Sequence, residues 1–233
     1  EPYAENKDSY PQWARYVQGV LALMPVRVPA IDMLVHSHIP PGSSLSSSAA
    51  LELATFHLAV QFLPENTPHM SKKDAALLCQ KAEHVYAGVP CGIMDQLVIS
   101  KAQPKKALKI DCLTLDCEAI PMSIAHDVLF LVTNSGVKHA LATSEYAKRR
   151  SDVDRAVKLI GAASWRDVSC DLLQQRSASL TCEGGDMFER ATHVVDEIAR
   201  TIEAANALLD NNILLFGRLM TASHESLRKQ YAV

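Results

Sequence analysis

Apolar residues recur at helical spacing from Trp13 to Leu23, with Trp13, Tyr16, Val17 and Val20 along one side, and Pro25 and Pro29 close that helix. Ala30 to Ile39 has the Val, Ile, Leu and Met content of a strand. A run of small residues follows, and Ala50, Leu51, Leu53, Ala54 and Leu58 then return to helical spacing, with Phe62 further on. Pro64, Asn66 and Pro68 break the chain. Ser71 with Asp74 three residues on reads as the capped start of another helix, carrying Ala75, Leu78, Cys79 and Ala82 on one face and Glu83 in its last turn. Ala107 to Cys112, Glu118 to Met122 and Asp127 to Thr133 read as strands, the last with a Val-Leu-Phe-Leu-Val run that predicts burial on both faces. Helical patterning resumes from Tyr146 to Ile160, from Glu183 to Leu209, and from Asn212 to Gln230 behind a cap at Asn211 or Asn212. No internal repeat or low-complexity linker interrupts this order.

Two stretches have chemical character. Pro40-Pro41-Gly42-Ser43-Ser44-Leu45-Ser46-Ser47-Ser48 joins a predicted strand to a predicted helix. The first N–H groups of a helix lack intrahelical acceptors and lie at the positive end of its dipole, so a loop of small residues lets a phosphate approach them. A solvated turn or an ordinary serine N-cap fits the same residues. The loop lacks a Lys-Ser or Lys-Thr ending, so it is not a Walker P-loop. The second stretch, Ala87 to Gln96, sets Gly88 and Gly92 around Pro90 and delivers Asp95 among Ile93, Met94, Leu97, Val98 and Ile99. Asp95 reads equally as a reactive carboxylate or as the cap of the next helix.

Composition narrows the field. The 233 residues are 48% hydrophobic and 21% charged with a net charge of −3, enough for a sizeable core and without a basic face for nucleic acid. No apolar stretch reaches the length of about 18 residues that a membrane helix needs, and the amino-terminal residues are too polar for a signal peptide. Six cysteines without a CxxC pair and nine histidines without HExxH spacing argue against a zinc site and a disulfide scaffold. A cytoplasmic protein is expected, with no membrane or nucleic-acid partner. A hard, oxygen-ligated metal stays open. The first residue is not Met and the last follows a helical segment directly, so the chain reads as a piece of something longer.

The order of motifs resembles the galactokinases, in the superfamily of galacto-, homoserine, mevalonate and phosphomevalonate kinases. The resemblance rests on the serine loop, on Ala82-Glu83-His84-Val85-Tyr86-Ala87-Gly88-Val89-Pro90-Cys91-Gly92-Ile93-Met94-Asp95-Gln96, and on Thr133-Asn134-Ser135 leading to Val137-Lys138-His139. It extends through Ser144-Glu145-Tyr146 with Arg149-Arg150, and Phe216-Gly217-Arg218-Leu219-Met220 with Ser223-His224. It implies an α/β (α+β type) two-lobed small-molecule kinase fold of mixed sheets and packed helices, with lobes at 1–126 and 127–233, both incomplete. The implied reaction is ATP-dependent phosphorylation of galactose at its anomeric hydroxyl, giving galactose 1-phosphate, by a protein that is a monomer at full length.

Carried over by position, Asp95 is the general base, Gly92 and Tyr146 line the sugar pocket, and Gly42, Ser43, Ser44, Leu45, Ser46, Ser47 and Ser48 wrap the ATP phosphates. Ser48 and Glu83 hold Mg2+, and Trp13 and Tyr16 pack near the adenine. Phosphoryl transfer asks for these three parts: an N–H-rich loop, a divalent cation on oxygen ligands, and a carboxylate near the nucleophile. The resemblance also marks departures. Ser44 stands where the family has glycine, which costs on the order of 1–2 kcal/mol if that position needs a positive φ, and Gly136 stands where asparagine is usual. The family's amino-terminal sugar motif and carboxy-terminal glycine-rich motif are not in this sequence, so this chain alone is expected to be inactive. A catalytically silent galactose- and ATP-binding regulator, or a truncated product of the same fold, shares the resemblance.

Overall fold

Five stretches of the chain, residues 11–40, 45–122, 128–133, 144–182 and 186–232, are described by a computed structural model, with backbone alone for 144–147. The described residues are mixed α and β and fall into two units, Glu1–Ala119 with Phe130–Ala142, and Ile120–Leu129 with Thr143–Val233.

In the first unit α1 (Gln12–Leu23), α2 (Ser47–Val60) and α3 (Lys72–Ala82) pack around Val20, Leu53, Phe56, Cys79 and Ala82. The close approach of α1 to α3 depends on Gly19, where an added Cβ would stand 2.9 Å from the Cβ atoms of both Ala82 and Tyr86. The predicted start of α3 is present as a full capping box: Ser71 Oγ accepts from the Asp74 amide while Asp74 Oδ2 accepts from the Ser71 amide, both at 3.1 Å. Its predicted face, Ala75, Leu78, Cys79 and Ala82, is buried.

Beyond α3 the helix widens into a π-helical turn, Glu83–Ala87, which ends on Gly88 at φ 72°. There glycine is the residue that reaches the left-handed region without a Cβ penalty. A short loop leads into α4 (Met94–Lys101), then into an antiparallel hairpin of β1 (Lys106–Ile110) and β2 (Cys117–Pro121).

The second unit holds α5 (Ser144–Ile160), α6 (Cys170–Gln175), α7 (Ser177–Cys182), α8 (Met187–Leu209) and α9 (Ile213–Ser226). Its core is Ala156, Ile160, Val168, Leu173, Leu180, Met187, Ala191 and Val195. The buried Arg190 ties α8 to α5 through Asp152. Of the two asparagines expected as caps, Asn212 does the work, accepting from the Leu215 amide at 3.1 Å.

Two expected strands are absent among the described residues. Ala30 to Ile39 runs without regular structure and exposes Leu34, and Val128 to Thr133 does the same with Leu129 and Leu131 about nine-tenths exposed. The composition suits a strand, but a strand needs a hydrogen-bonded neighbour. Among the described residues only β1 and β2 pair. Trp13, expected in the core, is 54% exposed because it sits in the first turn of α1, ahead of the buried stretch that begins at Tyr16.

Candidate active site

The amino terminus of α2 is open. Ser46 precedes it in the left-handed region (φ 53°, ψ 39°) and offers no side-chain cap. The first accepted bond runs from the Ala50 amide to the Ser46 carbonyl at 3.0 Å. The amides of Ser47, Ser48 and Ala49 therefore stand at the positive end of the helix without intrahelical acceptors. Ser46, Ser47 and Ser48 are half-buried and Leu45 is exposed. Gly42, Ser43 and Ser44 lie outside the described residues.

One turn into α2, on the same face as Ser48, sits Glu52, which is fully buried. Facing it are Glu83, 3% exposed at the start of the π-helical turn, and Gln96, fully buried in α4. The Gln96 Nε2 group donates to Glu52 Oε2 at 3.1 Å and to Glu83 Oε2 at 2.8 Å. Glu83 also accepts from the Cys91 thiol at 3.3 Å and from Ser48. The three elements that converge here thus meet through side chains far apart in sequence.

The loop between the π-helical turn and α4 is held from behind. Gln80 Nε2 donates to the Cys91 carbonyl at 3.2 Å, and the His84 ring reaches the peptide on either side of Cys91. This fixes the path into α4, whose first turn presents Asp95 half-buried, with no side-chain cap at its start. The capping alternative for Asp95 is thereby set aside. Gly92 is exposed, with no heavy atom within 4 Å of where a Cβ would stand.

Burial and charge then divide the two carboxylates. Burial pushes the Glu52 carboxyl up to about 9, aided by the charge of Glu83 and opposed by the Gln96 hydrogen bond. Glu83 is raised too, by burial first, but bonds from Cys91, Ser48 and Gln96 favour its charged form, while nearby Asp95 opposes it. Glu83 has the richer set of donors, so the negative charge resides there and Glu52 stays neutral. Burial also pushes the Cys91 thiol and the Tyr16 phenol up to about 12, so both remain protonated.

An unfilled helix terminus, an oxygen pair from Ser48 and Glu83, and Asp95 beside them form the arrangement that the comparisons with known proteins address. Residues 15–102 match the model of the GHMP kinases N terminal domain. Over 96% of this chain, 42% of positions are identical to the galactokinases of Canis lupus familiaris and Homo sapiens. The Haemophilus influenzae galactokinase is 38% identical across all of it.

The chain belongs to the GHMP kinase family. Its fold superposes on the crystal structure of the Lactococcus lactis galactokinase complexed with galactose with a TM-score of 0.81 at 29% identity, over 99% of this chain and 60% of that one. The chain spans 55–59% of the length of the curated relatives named above.

Within this GHMP kinase chain the sequence-predicted residues Ser48, Glu83 and Asp95 come together. Tyr16 is enclosed with Ala87, Val89 and Leu51, which leaves Trp13 as the exposed one of the two aromatic residues. Tyr146 begins α5, with its side chain outside the described part. Sequence reasoning missed Glu52 and Gln96. The signal was available for Glu52, a lone charge inside the apolar run Ala49 to Phe56.

The donor chemistry fits magnesium. Ser48 and Glu83 are hard oxygen ligands, and the neighbouring Cys91 is kept a neutral thiol rather than a soft thiolate. Among the described residues no cluster of three or more His, Cys, Asp or Glu could hold a metal by itself. Mg2+ bound through one or two protein oxygens and substrate phosphates needs no such cluster.

No helix among the described residues is long and apolar enough to cross a membrane.

Proposed function

We propose that this chain is the central part of a galactokinase, which transfers the γ-phosphoryl group of ATP to the anomeric hydroxyl of galactose and yields galactose 1-phosphate and ADP. The observation that carries the reading is the convergence of Ser48, Glu83 and Asp95 at the open terminus of α2, in a chain 42% identical to galactokinases over nearly all its length.

In this reading the amides at the start of α2 bind the ATP phosphates, helped by the serine loop from Gly42 to Ser48. Ser48 and Glu83 hold Mg2+, which when bound neutralises charge on the phosphates. Asp95 accepts the proton of the sugar hydroxyl, and the bare backbone at Gly92 lets the sugar lie close. Tyr146 lines the same pocket, and Trp13 is the aromatic residue free to pack on the adenine. Positioning and charge stabilisation are most of what phosphoryl transfer requires. The division into two units supports a two-lobed protein split near 126 and 127. Six free cysteines support a reducing, cytoplasmic setting, and the active species is taken as a monomer.

The test is direct. A polypeptide of galactokinase length carrying this chain is incubated with ATP, Mg2+ and galactose, and the product is read by phosphorus NMR. Galactose phosphorylated at the anomeric position is the expected outcome. Binding of both ligands without product would make the protein a sugar-sensing regulator instead.

A further inference from the structure

The Gln96 amide has two hydrogens, and both are committed: one to Glu52, the other to Glu83. Glu52, Gln96 and Glu83 come from three different elements, and all lie out of solvent. A fold that only needed to fill this volume would use apolar side chains. Here it keeps Glu52 Oε1 and Gln96 Oε1 buried with no hydrogen-bond partner, a costly arrangement that native cores avoid unless the polar groups have another task.

That task follows from what Gln96 touches. Its amide and the Cys91 thiol both bond to Oε2 of Glu83, so this oxygen is saturated from the protein side. Only the other oxygen, Oε1, is left to serve a cation. Gln96 also follows Asp95 directly in the first turn of α4, so anchoring its side chain fixes the turn that carries the carboxylate base. Glu52 stands behind Gln96 as the second anchor. With Glu52 alone the amide would be free to swing about its terminal torsion; with both acceptors its plane is set.

We propose that Glu52 and Gln96 are positioning residues of the transfer site, a buried bridge that orients the Glu83 carboxylate toward the cation and couples it to the turn bearing Asp95. The proposal rests on the reading of Ser48 and Glu83 as cation ligands. Outer residues of this kind typically affect metal affinity by about 10–100-fold.

The experiment measures the affinity of a non-hydrolysable ATP analogue in Mg2+ and in EDTA, in a polypeptide of galactokinase length carrying this chain. The ratio of the two affinities reports the cation's contribution. Glu83→Ala is the control, expected to abolish the ratio. Gln96→Met, of similar shape but without the amide, is expected to lower the ratio about tenfold or more, with affinity in EDTA unchanged. Glu52→Gln keeps an acceptor for Gln96 and is expected to stay within about threefold of wild type. If Gln96→Met does not fold, Gln96→Asn, too short to reach both carboxylates, replaces it with the same expected loss. A merely structural role would lower the melting temperature and leave the ratio of the folded protein unmoved, which would overturn the bridge while the Glu83 control still responds. An unmoved ratio in Glu83→Ala would instead remove the cation reading, and the bridge with it.

Discussion

His84 Nε2 stands 2.9 Å from the carbonyl oxygen and 3.1 Å from the amide nitrogen of Cys91, so one ring clamps the peptide that begins the approach to Asp95. The tautomer sets which of the two bonds forms, and either one ties the loop to the π-helical turn. His84→Ala removes that tie. A net hydrogen bond is worth about 1 kcal/mol, so native-state exchange of amides in the 91–93 loop is expected to accelerate roughly tenfold, and kcat to fall by a similar factor. Unchanged exchange would show that Gln80 alone holds the loop.

Asp95→Asn keeps the shape of the side chain and removes the base. A positioned base contributes about 10²–10⁴-fold, or roughly 3–5 kcal/mol of barrier. Turnover in the galactokinase-length polypeptide is expected to drop by at least that lower factor with the melting temperature preserved, since Asp95 caps nothing. Turnover within tenfold of wild type would take Asp95 out of the mechanism.

Gly19→Ala sets a methyl group 2.9 Å from two Cβ atoms and 3.1 Å from the Ala82 carbonyl oxygen. None of these is the far end of a flexible side chain, so the helices must part. Overpacking of this kind costs about 1–3 kcal/mol. Chemical denaturation should register the loss as a lower midpoint. A neutral result would mean that α1 can slide along α3 at no cost.

Stability should also depend on pH through Glu52. Its carboxyl is raised from the ordinary 4.5 to about 9 in the fold. Below about 4.5 the folded and unfolded chains both hold the proton, and the group carries no penalty. As pH rises from there toward 9 the unfolded chain releases the proton while the folded chain keeps it, so unfolding gains and stability falls. Glu83 is shifted in the same direction. Glu52→Gln removes the larger contribution. Denaturation at pH 5.5 and pH 8 should therefore show the variant gaining on wild type at the higher pH; a constant difference would place the proton elsewhere.

What was legible in the sequence was local. The Ser71 and Asp74 box lies within four residues, and the faces of α1 and α3 follow from a period that each helix imposes on itself. The hairpin strands were found within one residue at their starts. The extended runs at 30–39 and 127–133 were misread as paired because pairing is settled by a distant partner, which composition does not report. The site divides in the same way. Ser48, Glu83 and Asp95 stand in motifs with a recognisable order. Gln96 bonds Glu52 across 44 residues, and no spacing rule announces that meeting.

The π-helical turn leaves this site with little tolerance for changes in chain length. Its five residues, Glu83–Ala87, are wound more loosely than the α-helix they extend. Each residue of an α-helix turns the next by about 100°. Loss of a single codon within the turn would restore ordinary winding and rotate every following side chain by that angle, carrying Cys91 and Asp95 off the face that Glu83 looks toward. Point substitutions here can be graded in their effect, whereas a one-residue deletion is all or nothing.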